Sequence, residues 1–118
     1  MATYFKNVLR SNIGTTEVVG ISTASNSRAT IIGMSLTNLT GGIVLVDVRM
    51  EQLNDISAPS PVILESAYFV KNVALPPNQS LRLINGGEKL VLSPSMKVYI
   101  KGSEADSLDL VISYVEIV

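Results

Sequence analysis

Met96-Lys97-Val98-Tyr99-Ile100-Lys101 and Leu108-Asp109-Leu110-Val111-Ile112-Ser113-Tyr114-Val115-Glu116-Ile117-Val118 lie in the stretch that sets the fold class. They follow Asn85-Gly86-Gly87-Glu88-Lys89-Leu90-Val91-Leu92 and the turn Ser93-Pro94-Ser95. Three runs rich in β-branched and apolar residues are thus parted by turn chemistry, which spells strands. Met96, Val98 and Ile100 alternate with Lys97, Tyr99 and Lys101, so one face is suited to burial and the other to water. In the last run Leu108, Leu110, Ile112 and Tyr114 alternate with Asp109, Val111, Ser113 and Val115. Neither face is wholly polar, which predicts a strand covered on both sides, within a sandwich or by a neighbouring subunit.

The same period of two runs back through the chain. Ala29 to Asn38 reads as a strand, with Ile32, Met34 and Leu36 on one face and Ile31, Gly33, Ser35 and Thr37 on the other. Ile43 to Glu51 sets Val44, Val46, Val48 and Met50 against Ile43, Leu45, Asp47 and Arg49. Asn38-Leu39-Thr40-Gly41-Gly42 between them predicts a hairpin, because the glycines can take positive φ. Shorter extended runs are expected at Thr3 to Arg10, Thr16 to Ile21 and Ser80 to Ile84, and a long one, interrupted by Glu65-Ser66-Ala67, at Val62 to Val73. The loop from Gln52 to Pro61 contains two prolines and is expected to lie on the surface. No amphipathic helix competes with these strands. The expectation is all-β: one antiparallel β-sandwich domain over residues 1–118, jelly-roll or immunoglobulin-like, of about eight or nine strands.

Composition narrows the function classes. Among 118 residues, 47% are hydrophobic and 16% charged, and the net charge is −1. That balance provides no electrostatic footprint for nucleic acid or an anionic membrane. Arg10, Arg28, Arg49 and Arg82 are scattered without aromatic interleaving, so they read as surface arginines or inter-subunit ion pairs rather than a nucleic-acid groove. There is no cysteine, histidine or tryptophan. Disulfides, thiolate zinc sites and Ser-His-Asp or Cys-His nucleophiles are thereby excluded. Met1 to Lys6 lacks the basic and apolar regions of a signal peptide, and synthesis in a cytoplasm is expected.

Little chemistry is visible. Glu104, Asp106 and Asp109 could seed a weak calcium site, but a solvated loop is the plainer reading. Asn85-Gly86-Gly87 lacks the spacing of a phosphate-binding loop and reads as a hairpin turn. Tyr4, Tyr68, Tyr99 and Tyr114 with Phe5 and Phe69 could form a sugar-stacking platform, although packing is the commoner use of such residues. No catalytic, cofactor-binding or metal site is expected, and the chain is not expected to be an enzyme.

Several stretches together carry a resemblance. They are Tyr68-Phe69-Val70-Lys71-Asn72-Val73, Leu75-Pro76-Pro77-Asn78-Gln79-Ser80-Leu81, Gly86-Gly87-Glu88-Lys89-Leu90-Val91-Leu92, Lys97-Val98-Tyr99-Ile100, and the terminal Ser113-Tyr114-Val115-Glu116-Ile117. In these the C-terminal half resembles a family of small virion structural proteins of tailed bacteriophages. Where that family often has glycine-aspartate before the penultimate strand, this chain has Pro94-Ser95, which removes a carboxylate and argues against a metal in that turn. The resemblance implies a virion component made in the host cytoplasm, at the neck, collar or tail or decorating the capsid. It implies partners among virion proteins and copies of itself, in a trimer or hexamer, and no cofactor. Sparsely charged, β-prone segments at both termini point to subunit contacts through Ala2 to Leu9 and Leu108 to Val118, with Tyr4, Phe5, Val8, Val111, Val115 and Ile117 as candidate interface residues. The alternative reading is a jelly-roll module binding a carbohydrate or host receptor.

Overall fold

The computed structural model describes residues 2–118, the side chains of residues 85–88 excepted. Eight strands follow one another: β1 (Thr3–Ile13), β2 (Val18–Ser22), β3 (Arg28–Asn38), β4 (Val44–Leu53), β5 (Ile63–Leu75), β6 (Ser80–Leu92), β7 (Met96–Gly102) and β8 (Leu108–Ile117). They form two four-stranded sheets, ordered β1-β8-β3-β6 and β2-β7-β4-β5, with every neighbour antiparallel. This interleaved order, with most connections crossing between sheets, is the double Greek key of a jelly roll. An immunoglobulin-like sandwich partitions its strands differently.

The core lies between the sheets. Ile31, Met34 and Leu36 of β3 and Leu108, Leu110 and Ile112 of β8 face Val44, Val46 and Val48 of β4 and Val98 and Ile100 of β7, all buried. At Gly20 of β2 the sheets come very close: a Cβ there would stand 3.0 Å from the Leu110 Cδ2 atom of β8 in the opposite sheet. Asn38 is buried at the end of β3 and its amide holds two loops. Its Nδ2 donates to the carbonyls of Gly42 and Leu75 at 2.8 and 2.9 Å, and its Oδ1 accepts from the Thr40 N–H at 2.8 Å.

Four expectations are corrected. The hairpin expected between Ala29–Asn38 and Ile43–Glu51 is a corner between sheets: β3 pairs with β6 and β8, whereas β4 pairs with β5 and β7. Their apolar sides face across the core, which buries both, and side-by-side pairing would not. The strands that do form a consecutive pair are β4 and β5, joined through the proline-containing loop. Second, Ile31 is buried and Ile32 only half-buried, because a bulge between Ile31 and Gly33 shifts the alternation by one residue. Third, β8 is hydrogen-bonded on both sides, by β1 and β3, so the terminal strand offers a face and no free edge. Fourth, Leu81 and Ile84 pair with Leu36 and Met34, and Leu90 and Leu92 with Ile31 and Ala29, so the chain runs in one direction along β3. The turn read at Asn85-Gly86-Gly87 itself falls on residues 85–88 and lies outside the described residues.

Candidate assembly surface

The outer face of the sheet β1-β8-β3-β6 is where four of the six candidate interface residues gather: Phe5, Val111, Val115 and Ile117. Strand alternation and register place Phe5 beside Val115, Leu9 beside Val111, and Thr3 beside Ile117. Those rows continue across β3 and β6: Val115 lies next to Thr30 and then Val91, and Val111 next to Ser35 and then Arg82. Phe5 is 82% exposed, Leu9 66%, Val91 64% and Val111 44%. Large apolar side chains therefore stand in water on one face, with Asn7, Ser113, Thr30, Ser35 and Arg82 among them. Contiguous exposure of this kind marks an interaction surface more often than scattered single residues do.

Tyr4 and Val8 stand on the opposite side of β1 from Phe5, one residue out of phase. Val8 packs against the core beside Ile112. Tyr4 lies in the row of Lys6, whose ammonium donates to the Glu116 Oε1 atom at 2.8 Å. That hydrogen bond holds the Lys6 pKa above its ordinary value. Val91, which sequence reasoning missed, belongs with Phe5, as does Leu9, which lay in the expected Ala2 to Leu9 segment but not among the named candidates. The signal for Leu9 was available in its spacing, an even number of residues from Phe5 on one strand.

The outer face of the other sheet is organised by charge. Arg49 of β4 grips Glu17, just before β2, through two bonds of 3.0 Å. It also donates to the Glu51 Oε2 atom at 2.9 Å and to the Ser66 hydroxyl of β5 at 3.0 Å. Its guanidinium sits 4.3 Å from the centroid of the Tyr99 ring of β7. The Tyr99 hydroxyl donates to Glu51 at 3.3 Å. One arginine thus ties together residues at all four strands of this sheet. The two carboxylates keep its proton bound more tightly than usual, and the Arg49 hydrogen bonds hold the Glu17 carboxyl below its ordinary pKa. Nearby, Asp47 accepts the Asn72 N–H at 2.7 Å, and Lys71 stands 3.8 Å from its carboxylate.

The aromatic residues do not form one platform. Tyr4 and Phe5 lie on β1, and Tyr114 packs towards the core. Tyr68 and Tyr99 flank Arg49 on either side, and each ring already carries a cation, Lys71 at 4.3 Å from Tyr68 and Arg49 at Tyr99. Asp109 of the suggested cation loop accepts the Asn12 N–H at 3.1 Å. Among the described residues no group of three acidic side chains is placed to hold a metal ion.

No family model matches the chain, and no curated protein matches its sequence. Solved structures match through the fold. The structure of infectious bursal disease virus, Gt strain, superposes with a TM-score of 0.57 at 11% identity, over 98% of this chain and 32% of that one. The crystal structure of the viral particle of the same virus gives a TM-score of 0.52 at 11% identity, over 97% and 35% of the two chains. Its VP2 subviral particle gives 0.51 at 10% identity, over 97% and 37%. The chain spans about a third of the length of the virus chains it matches. At this identity the likeness is one of fold: an all-β sandwich of the kind found in chains that build viral particles.

Proposed function

We propose that this chain is a structural subunit of a virion, acting by self-assembly and not as an enzyme, and that the virion is that of a tailed bacteriophage. The observation that carries the proposal is the apolar outer face around Phe5, Leu9, Val111 and Val91, set on a jelly roll whose other face satisfies its own charges. Support comes from two further directions. The fold likeness is to chains of viral particles. The phage assignment, with a position at the neck, collar or tail or on the capsid surface, rests on the sequence resemblance in the C-terminal half. In this role the chain's partners are its own copies and neighbouring virion proteins, and its place is the virion.

The test is the mass of the purified protein in solution, measured by light scattering across a range of concentrations. A stable oligomer at micromolar concentration is the expected result. A monomer at every concentration would count against self-assembly, and glycan binding would then be the next measurement.

A further inference from the structure

We propose that two copies of this chain join antiparallel along the free edge of β1, about a twofold axis through Asn7. The proposal rests on the assembly reading above and names its partner, a second copy of the same chain.

Four strands lie at sheet edges: β1 and β6 in one sheet, β2 and β5 in the other. Three of them are unsuited to templating. The ladder of β5 is interrupted at three places and that of β6 at two, while β2 has five residues and an interruption of its own. Bulges twist an edge away from a partner and leave residues unpaired. β1 differs. Its pairing with β8 runs from Thr3 to Arg10 without a break, and its one bulge lies beyond, between Arg10 and Ile13.

The direction of its free amides follows from that register. Ala2 and Val118 exchange both backbone hydrogen bonds, each 2.9 Å long. Alternate residues of an antiparallel strand bond to the same neighbour. Tyr4, Lys6, Val8 and Arg10 therefore bond β8, and Thr3, Phe5, Asn7 and Leu9 aim N–H and C=O at the open edge. The Leu9 carbonyl accepts one bond from Arg10 at 3.3 Å, which leaves its second lone pair.

Charge selects the register. A twofold antiparallel contact between strands has its axis normal to the sheet, so outward residues meet outward residues. Centred on Lys6, it would oppose Lys6 to the partner's Lys6. Centred on Val8, it would oppose Lys6 to the partner's Arg10. Like charges directly opposite destabilise a strand pair. Centred on Asn7, the contact opposes Phe5 to the partner's Leu9, Lys6 to the partner's Val8, and Arg10 to the partner's Tyr4. The last pair brings a guanidinium to an aromatic ring, which is favourable. The outer face then carries one apolar row across the junction: Val115, Phe5, the partner's Leu9 and the partner's Val111. Two sheets become one of eight strands, and the exposed edge disappears. A twofold contact also demands an even number of copies, a dimer or a hexamer of dihedral symmetry, and not a bare trimer.

The chain has no cysteine, so single cysteines report cleanly. Facing residues at a hydrogen-bonded antiparallel pair stand about 5.5 Å apart at Cα, within disulfide reach. Asn7→Cys is expected to give a disulfide-linked dimer under mild oxidation at least about tenfold faster than Asn26→Cys in an exposed loop, because pairing raises the local concentration of thiol. Asn7→Pro removes an N–H aimed at the edge without touching the β8 ladder, and is expected to lower the mass in solution while the protein stays folded by circular dichroism. An oligomer in which Asn7→Cys and Asn26→Cys cross-link at equal rates and Asn7→Pro leaves the mass unchanged would overturn edge pairing and leave the assembly reading standing. A protein that is monomeric at every concentration and does not cross-link at position 7 would overturn both.

Discussion

The two outer faces of this sandwich start from the same alternating pattern and end in opposite conditions. On β2-β7-β4-β5 the outward residues around Arg49 are charged or polar and satisfy one another, with Arg49 bonded to Glu17, Glu51 and Ser66 and stacked on Tyr99. On β1-β8-β3-β6 the outward residues around Phe5, Leu9 and Val111 are apolar and have only water to meet. A polar face can be completed within one chain, because hydrogen bonds and ion pairs saturate. An apolar face is completed only by removing it from water, and that needs another surface. The charged face therefore stabilises the fold, and the apolar face is the one available to a partner.

Substitution separates these two roles. The largest effect on folding is expected from Arg49→Met. It leaves Glu51, 6% exposed, without its half-buried cation, and a buried carboxylate deprived of its partner costs about 2 kcal/mol. Denaturant unfolding would measure the loss, and light scattering should show the wild-type mass. A change of mass with Arg49→Met would mean that the charged face also makes contacts. Tyr99→Phe is smaller: losing one hydrogen bond to a carboxylate should cost about 1 kcal/mol in the same unfolding assay.

The acid dependence of stability isolates Glu17. Hydrogen bonds from Arg49 depress its folded pKa below the ordinary 4.5. Its contribution is therefore complete above pH 4.5 and is lost as the pH falls through the lowered folded value. Urea midpoints taken down this range should fall more steeply for the wild type than for Glu17→Gln. Parallel curves would remove Glu17 from the clamp. The smallest effect on folding is expected from Phe5→Glu, within about 0.5 kcal/mol, since the side chain is already in water. The same variant should lower the mass in solution. Wild-type assembly by Phe5→Glu would exclude this face as the contact.

Much of the fold was legible. Val44, Val46 and Val48 announce a buried strand face, and Met96, Val98 and Ile100 announce another, because the period of two is local and strong. Partner choice was not legible. Asn38 to Gly42 has the chemistry of a tight reversal, and the chain does turn there, but turn residues do not specify whether the returning strand pairs or crosses. The proline-containing loop before β5, by contrast, joins two strands that do pair. Bulges were equally silent. Ile31 and Ile32 are chemically alike, and only pairing with β6 and β8 decides which points inward.

The candidate surface was readable in part. Phe5, Val111, Val115 and Ile117 share the outer face, whereas Tyr4 and Val8 fall on the other side of β1. The Arg49 clamp joins residues 32 positions apart, a distance at which sequence spacing carries no signal.

Alternation, turn residues and missing side-chain types act locally. From them alone follow a sandwich of strands and the lack of visible catalytic chemistry. The jelly-roll order, the interior place of β8 and the unbroken free edge of β1 beneath Phe5 and Leu9 emerge only in the folded chain. Those features depend on which apolar faces meet across the core, and that choice is made by the whole chain burying its surface at once.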